Sequence, residues 1–198
     1  MRSIASVRDF ICIAVVLAVS VPALAQSKKE KRLDAGEVII TTKNVDGFDI
    51  PKVHLEAVIN AAPEKVWAII EKCGDYTRTM VGLAEAKELS RKGNQIRCKT
   101  VADLPWPLDD LTAITKVRHT VIANKKWQRT WSLESGDFKY NYGSWKLSHF
   151  KGDPQRTHLV YSAHVEPTTT VPDSIKTAAA KSTLPNLIAH LRKQLEKS

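Results

Sequence analysis

Residues 171–195 read VPDSIKTAAAKSTLPNLIAHLRKQL and carry the clearest helical pattern of the chain. Pro172 suits the first turn of a helix, where its missing N–H costs no hydrogen bond. Apolar residues then recur at spacings of three and four, and most lysines and arginines fall outside this stripe; the apolar set is Ile175, Ala179, Leu184, Leu187, Ile188, Leu191 and Leu195. We therefore predict one long C-terminal helix that buries a single face.

The two halves of this helix differ in side-chain size. Small residues fill the first half, including the alanines at 178–180 and Ser182, whereas leucine and isoleucine dominate the second half. A thin half-helix leaves space above the sheet that it crosses, which predicts a ligand cavity. Pro185 interrupts the pattern and predicts a kink near residues 181–184. Both a curved helix that follows a twisted sheet and a mobile lid are consistent with this kink.

The chain before the helix reads as an antiparallel sheet. Alternating or β-branched runs lie at 37–42, 52–59, 84–90, 95–103, 111–123, 126–134, 138–150 and 157–166, with turn residues at the breaks between them. Short helices are predicted at 62–72 and 76–80. Short connections favour a meander, and a single sheet that meets a long terminal helix is an α+β fold.

The first residues have the pattern of a secretory signal. Arg2 and Arg8 precede an apolar run at 10–21, and residues 22–25 read PALA, an Ala-x-Ala cleavage site. The apolar run is too short to favour an uncleaved membrane anchor. We predict a signal peptide at 1–25, a loose polar tether at 26–36 and one domain at 37–197, in a protein exported to the periplasm or secreted.

The formal net charge of +9 raises the question of an anionic partner. Export and the lack of a basic–aromatic array in the sequence argue against nucleic acid as the partner. A transient contact with an anionic membrane surface is the better prediction, although a solvated basic surface without a specific partner is equally consistent. We expect a monomer.

Two cysteines remain after signal removal, Cys73 and Cys98. They could pair in an oxidising compartment, but Cys98 lies on an inward strand face whereas Cys73 ends a predicted helix. Buried free thiols are common, so we expect two free thiols in preference to a disulfide.

The inward faces of the strands supply the candidate ligand-binding residues. One of these faces places Arg129 between Trp127 and Trp131. An inward arginine needs a partner or a polar ligand group, although stacking on tryptophan with its head in water is the favoured interpretation. The full candidate set comprises Ile96, Cys98, Thr100, Leu111, Ala113, Thr115, Trp127, Arg129, Trp131, Trp145, Tyr161, Ile175, Ala179 and Ser182.

Several segments resemble a known family. Residues 104–111 (LPWPLDDL), 157–167 (THLVYSAHVEP) and 171–195 resemble START lipid-transfer domains, and residues 60–67 (NAAPEKVW) are similar to the wider START-like superfamily, which includes polyketide cyclases. The resemblance covers about residues 33–195 and points to an exported member of bacterial type. It implies a helix-grip fold, in which a curved antiparallel sheet wraps around the C-terminal helix and encloses an apolar cavity gated by that helix and a neighbouring loop. Thr115 stands where sterol-binding members carry an arginine, so the resemblance does not extend to a salt-bridged sterol anchor.

Catalytic and metal signatures are lacking in the sequence. The six histidines show no metal-ligand spacing, and we find neither a nucleophile signature nor a phosphate-binding glycine loop. We therefore predict no catalytic residue, no metal and no cofactor, and we favour binding and transfer of a lipid or other hydrophobic ligand. Two alternatives stay open. One is a polyketide-cyclase-like enzyme with His119 or Tyr161 as acid or base, and the other is an envelope interaction protein whose own aromatic side chains fill the cavity.

Overall fold

The computed structural model describes residues 21–172 and 183–196, with the backbone alone for residues 21–25. Its strands are β1 (Ile39–Lys43), β2 (Lys52–Ile59), β3 (Leu83–Lys92), β4 (Gln95–Ala102), β5 (Leu111–Ile122), β6 (Lys126–Gly136), β7 (Phe138–Phe150) and β8 (Asp153–Pro167). Its helices are α1 (Val21–Asp34), α2 (Pro63–Ile70), α3 (Tyr76–Thr79) and α4 (Leu184–Leu195), with a 3₁₀ turn at Cys73–Asp75.

The strands form one antiparallel sheet in the order β1-β2-β8-β7-β6-β5-β4-β3. The meander predicted from the short connections runs from β3 to β8. The last strand then pairs with β2, where Leu55 lies opposite Tyr161. This pairing joins an N-terminal strand to the last strand of the meander and was not evident from the sequence. The α+β prediction is confirmed: a curved antiparallel sheet with a C-terminal helix, the helix-grip architecture.

Alternation along each strand decides which face is buried. In β5 the residues from Leu111 to His119 alternate between buried and more exposed positions, and the odd-numbered set faces inward as predicted. Val121 continues the same alternation, yet half of its surface is exposed. It lies near the end of the strand. The alternation therefore predicts the face of the sheet on which Val121 lies, but not how much of its side chain is buried.

The core lies between the inward face of the sheet and the two helices α2 and α4. Val66 and Ile70 from α2 and Ile188 and Leu191 from α4 are fully buried and belong to one cluster with sheet residues such as Leu159. Burying each of these side chains contributes about 1.5–3 kcal/mol. The leucine-rich part of the predicted helix therefore packs on the core, as its apolar stripe indicated.

Residues 26–36 differ from the loose tether expected from their polarity. They include most of α1, and Leu33 is buried against Val58 and Phe150. The ammonium of Lys29 also lies 3.0 Å from the Glu56 carboxylate of β2. Asp34 at the end of α1 also pairs with Lys151 (2.8 Å) and Arg156 (2.7 Å). One apolar anchor and these ion pairs attach a largely exposed helix to the sheet, and none of them gives a periodic sequence pattern.

The described part of the C-terminal helix begins at Leu184, with Pro185 in its first turn. The predicted kink near 181–184 and the small-residue half, including Ile175, Ala179 and Ser182, fall wholly or largely outside the described residues. Arg192 fixes the other end of α4, donating to the carbonyl oxygens of Gly36 (3.0 Å) and Val58 (2.8 Å).

The expectation of two free thiols was wrong, because Cys73 and Cys98 form a disulfide with a Cα–Cα distance of 6.3 Å. The 3₁₀ turn after α2 carries Cys73 to the inward face of β4, where Cys98 lies. Both residues are buried. The bond therefore joins the α2–α3 region to the sheet at the centre of the molecule.

Candidate functional site

A cavity of about 400 Å³ lies between the inward face of the sheet and helices α3 and α4. Its walls are mostly apolar and come from nearly every element that faces inward. The apolar lining comprises Met80, Val81, Leu83, Ala102, Leu111, Ala113, Phe138, Trp145, Val165, Leu184 and Leu187. Its volume lies within the range of about 300–1,000 Å³ that is usual for small-molecule sites.

Nine of the fourteen candidate residues line this cavity: Cys98, Thr100, Leu111, Ala113, Thr115, Arg129, Trp131, Trp145 and Tyr161. Two others face inward but do not line the cavity. Ile96 and Trp127 are only 2% and 3% exposed and pack in the hydrophobic core. The remaining three, Ile175, Ala179 and Ser182, lie outside the described residues.

The sequence analysis missed several lining residues. Asn141 and Val165 share strand parity with Trp145 and Tyr161, so the alternation of β7 and β8 could have identified them. The contributions of the α2–β3 region were harder to foresee, because they depend on how α3 is placed against the sheet. Those residues are Tyr76, Met80, Val81 and Leu83.

Aromatic rings form one wall of the cavity. The Trp131 and Tyr161 rings stack with centroids 5.9 Å apart, and the indole N–H of Trp131 donates to Asn141 Oδ1 at 2.9 Å. The neighbouring β7 position is Gly143. A Cβ there would overlap the Trp131 ring and the Ser162 carbonyl oxygen. Glycine therefore lets the indole lie flat against the sheet.

The sequence analysis favoured an Arg129 that stacks on tryptophan with its guanidinium in water. In the structure the side chain is instead 97% buried. Its guanidinium lies 5.2 Å from the Tyr76 ring centroid. Nη1 is 3.0 Å from His119 Nε2 and 3.5 Å from the Glu71 carbonyl oxygen, and Nη2 is 3.3 Å from Cys98 Sγ. These partners are neutral groups or weak acceptors.

His119 is held in its neutral form beside this arginine. Burial is the main cause and the charge of Arg129 adds to it; together they lower the pKa of His119 to about 4. Since Arg129 has only donors, His119 Nε2 must accept the hydrogen bond and the proton sits on Nδ1. The ring also packs edge-on against Trp67, with centroids 4.9 Å apart. His119 thus supports Arg129 from outside the cavity lining.

Tyr161 is another polar residue that the sequence analysis placed in the site. Burial raises the pKa of its hydroxyl to about 12. The phenol therefore stays protonated at neutral pH, where it can donate a hydrogen bond but does not act as a base. Among the described residues, no group of three His, Cys, Asp or Glu side chains is arranged to hold a metal ion.

A family model described as "Polyketide cyclase / dehydrase and lipid transport" matches residues 59–192, which contain most of the sheet, the cavity and α4. The chain belongs to this family. Solved structures of START proteins have a fold similar to that of this chain. Human StAR-related lipid transfer protein 5 has a TM-score of 0.70 at 12% identity, covering 89% of this chain and 94% of that chain.

Two bacterial structures are also similar to this chain. The STAR-related lipid transfer protein from Xanthomonas axonopodis has a TM-score of 0.66 at 16% identity, covering 78% of this chain and 93% of that chain. A START superfamily protein from Mycobacterium smegmatis has a TM-score of 0.57 at 20% identity, covering 74% and 97%. At these identities the similarity shows the START-like fold alone.

One curated protein matches a shorter segment. Catabolic 3-dehydroquinase from Scheffersomyces stipitis is 37% identical over 62 residues, which is 31% of this chain. The alignment spans 39% of that enzyme's length.

Proposed function

We propose that this protein binds a lipid or similarly hydrophobic small molecule in the cavity between sheet and helix, and carries it without chemical conversion. The cavity itself carries the proposal: about 400 Å³ of space lined mainly by apolar and aromatic side chains, with a few polar groups. A cavity of this composition favours burial of an apolar ligand through the hydrophobic effect. The family's description, which names lipid transport beside polyketide cyclase and dehydrase, is consistent with this proposal.

The state of the two titratable candidates argues against the cyclase alternative. His119 already accepts a hydrogen bond from Arg129 and does not line the cavity. Tyr161 lines the cavity, but its raised pKa leaves it protonated at neutral pH. A general base needs a free acceptor within reach of the substrate and a pKa near the working pH. Neither residue meets both conditions.

Export and membrane contact are part of the same proposal. The signal pattern at 1–25 supports export, and the formal net charge of +9 supports a transient encounter with an anionic membrane surface. Within the described residues, no helix is long and apolar enough to span a membrane. Ligand exchange would take place where α4 borders the cavity through Thr183 and Leu184. Mass measurement of the exported protein tests cleavage after Ala25.

A cavity-filling variant tests the binding function. Ala113 lines the cavity and is only 2% exposed, so the indole of Ala113→Trp would occupy space that a ligand needs. We expect at least a tenfold loss of affinity for a dansyl-labelled fatty acid. Overpacking would lower the free energy of unfolding by about 1–3 kcal/mol, so thermal unfolding is measured in parallel.

Ala84→Trp is the matched control, because Ala84 is exposed on β3 and lies outside the cavity lining. It adds the same side chain without filling the cavity and should bind like wild type. Unchanged binding by a folded Ala113→Trp variant would contradict the proposal, as would a wild-type protein that binds no probe.

A further inference from the structure

Arg129 is a buried cation whose contacts do not include a counter-ion. It is 3% exposed, and none of the described ion pairs includes its guanidinium. The charge of the Glu88 carboxylate acts on Arg129, but Arg91 binds that carboxylate with two nitrogens at 2.8 and 2.6 Å. Among the described residues, the Arg129 guanidinium therefore has no carboxylate bound to it.

The hydrogen bonds of Arg129 are also incomplete. A guanidinium has five N–H donors. Nη1 has two partners, the His119 nitrogen and the Glu71 carbonyl oxygen, whereas Nη2 has one, the weak acceptor Cys98 Sγ. At least two N–H groups, one on Nη2 and that of Nε, have no partner within residues 21–172 and 183–196. A buried guanidinium is stabilised when an anion takes up such donors.

The surroundings of Arg129 hold it in place. His119 is opposite it on β5 and Trp145 opposite it on β7, so it lies in the middle of the sheet. The Tyr76 ring covers the guanidinium, and the disulfide of Cys98 lies beside it. Because its rotamer is fixed before a ligand arrives, little side-chain entropy is lost on binding.

We propose that the ligand of this cavity is an amphiphile with an acidic head group, a carboxylate or a phosphate, and that Arg129 binds this head group. This inference rests on the proposed binding function and adds the ligand class. The head group lies at Arg129, while the apolar tail follows the wall of Trp131, Trp145 and Leu187. Low polarity around the guanidinium strengthens its interaction with an anion relative to water.

A pair of probes that share tail and fluorophore but differ in the charge of the head group tests the inference. Dansylamino-undecanoic acid carries the carboxylate, and its methyl ester has the same tail and fluorophore without the charge. We expect wild type to bind the acid at least tenfold more tightly than the ester. Millimolar acetate or inorganic phosphate should not displace the acid, because these anions have no tail; displacement by either would mean that the site takes free anions, and would overturn the assignment to an amphiphile.

Arg129→Met removes the charge and keeps an unbranched apolar side chain. We expect this variant to bind the acid and the ester with equal affinity, because the charge that distinguishes the two probes no longer has a cationic partner. Arg118→Met is the control, because Arg118 is an exposed residue of β5 outside the cavity lining and its loss changes net charge equally. It should keep the preference for the acid.

The outcomes separate this inference from the proposed function. If wild type binds acid and ester equally, the head-group assignment is wrong while the cavity still binds apolar molecules. If wild type binds neither probe, the proposed function fails. The comparison in wild type is decisive even if Arg129→Met does not fold, because it requires no substitution.

Discussion

Gly143 shows how one missing side chain shapes the cavity. Gly143→Ala would place a Cβ against the Trp131 ring and the Ser162 carbonyl oxygen, so the indole must leave its position on the sheet. We expect a loss of about 1–3 kcal/mol in the free energy of unfolding, together with a change in tryptophan fluorescence. Gly74→Ala is the control, because a Cβ there meets only Glu88 N at 3.8 Å. Equal unfolding midpoints for the two variants would contradict this role.

The neutral state of His119 predicts a pH-dependent stability. Its pKa is about 4 in the folded protein, below the usual value of 6.5, so the unfolded chain binds the proton first. The free energy of unfolding should therefore fall as pH drops from about 6.5 to 4, by at most about 3 kcal/mol from this residue. Below pH 4 both states are protonated and this loss ends.

His119→Gln provides the comparison for this prediction, since its amide oxygen can still accept from Arg129. Urea unfolding of both proteins between pH 7 and 4 measures the difference. The variant should lose less stability than wild type over this interval. Parallel pH profiles would show that His119 does not titrate with a lowered pKa.

At the scale of elements, the disulfide joins the 3₁₀ turn after α2 to β4. It closes a loop between residues 25 positions apart, and loss of such a bond typically costs about 2–5 kcal/mol. We expect this loss for Cys73→Ser/Cys98→Ser in urea unfolding under oxidising conditions. Reductant should shift the wild-type midpoint towards that of the variant and leave the variant unchanged. Coincident midpoints for the two oxidised proteins would mean that the bond adds no stability.

Most elements could be predicted from local sequence, and their mutual placement could not. The bounds of β2 and β7 match their sequence patterns, because alternation and turn residues are local signals. The disulfide was missed since it depends on a 3₁₀ turn that brings Cys73 under β4. Ile96 and Trp127 were assigned to the cavity because parity gives the face of a residue, while its position along the sheet decides between core and cavity.

Across the whole molecule, the long-range contacts explain how a single curved sheet encloses space. The pairing of β2 with β8 joins the N-terminal strands to the meander, and Arg192 of α4 binds the Val58 carbonyl oxygen of β2. Helices α2 and α4 fill one part of the inward face with core residues such as Ile70 and Ile188. The remaining part, beside Arg129 and Trp145, is left as the cavity.

Native mass spectrometry of the protein purified from its own host tests the central claim that this cavity holds a hydrophobic ligand. We predict that wild type retains a non-covalently bound lipid, whereas folded Ala113→Trp carries none because its indole occupies the cavity. Ala84→Trp should retain the same lipid as wild type. A wild-type protein that neither co-purifies with a lipid nor takes one up from added lipids would contradict the account.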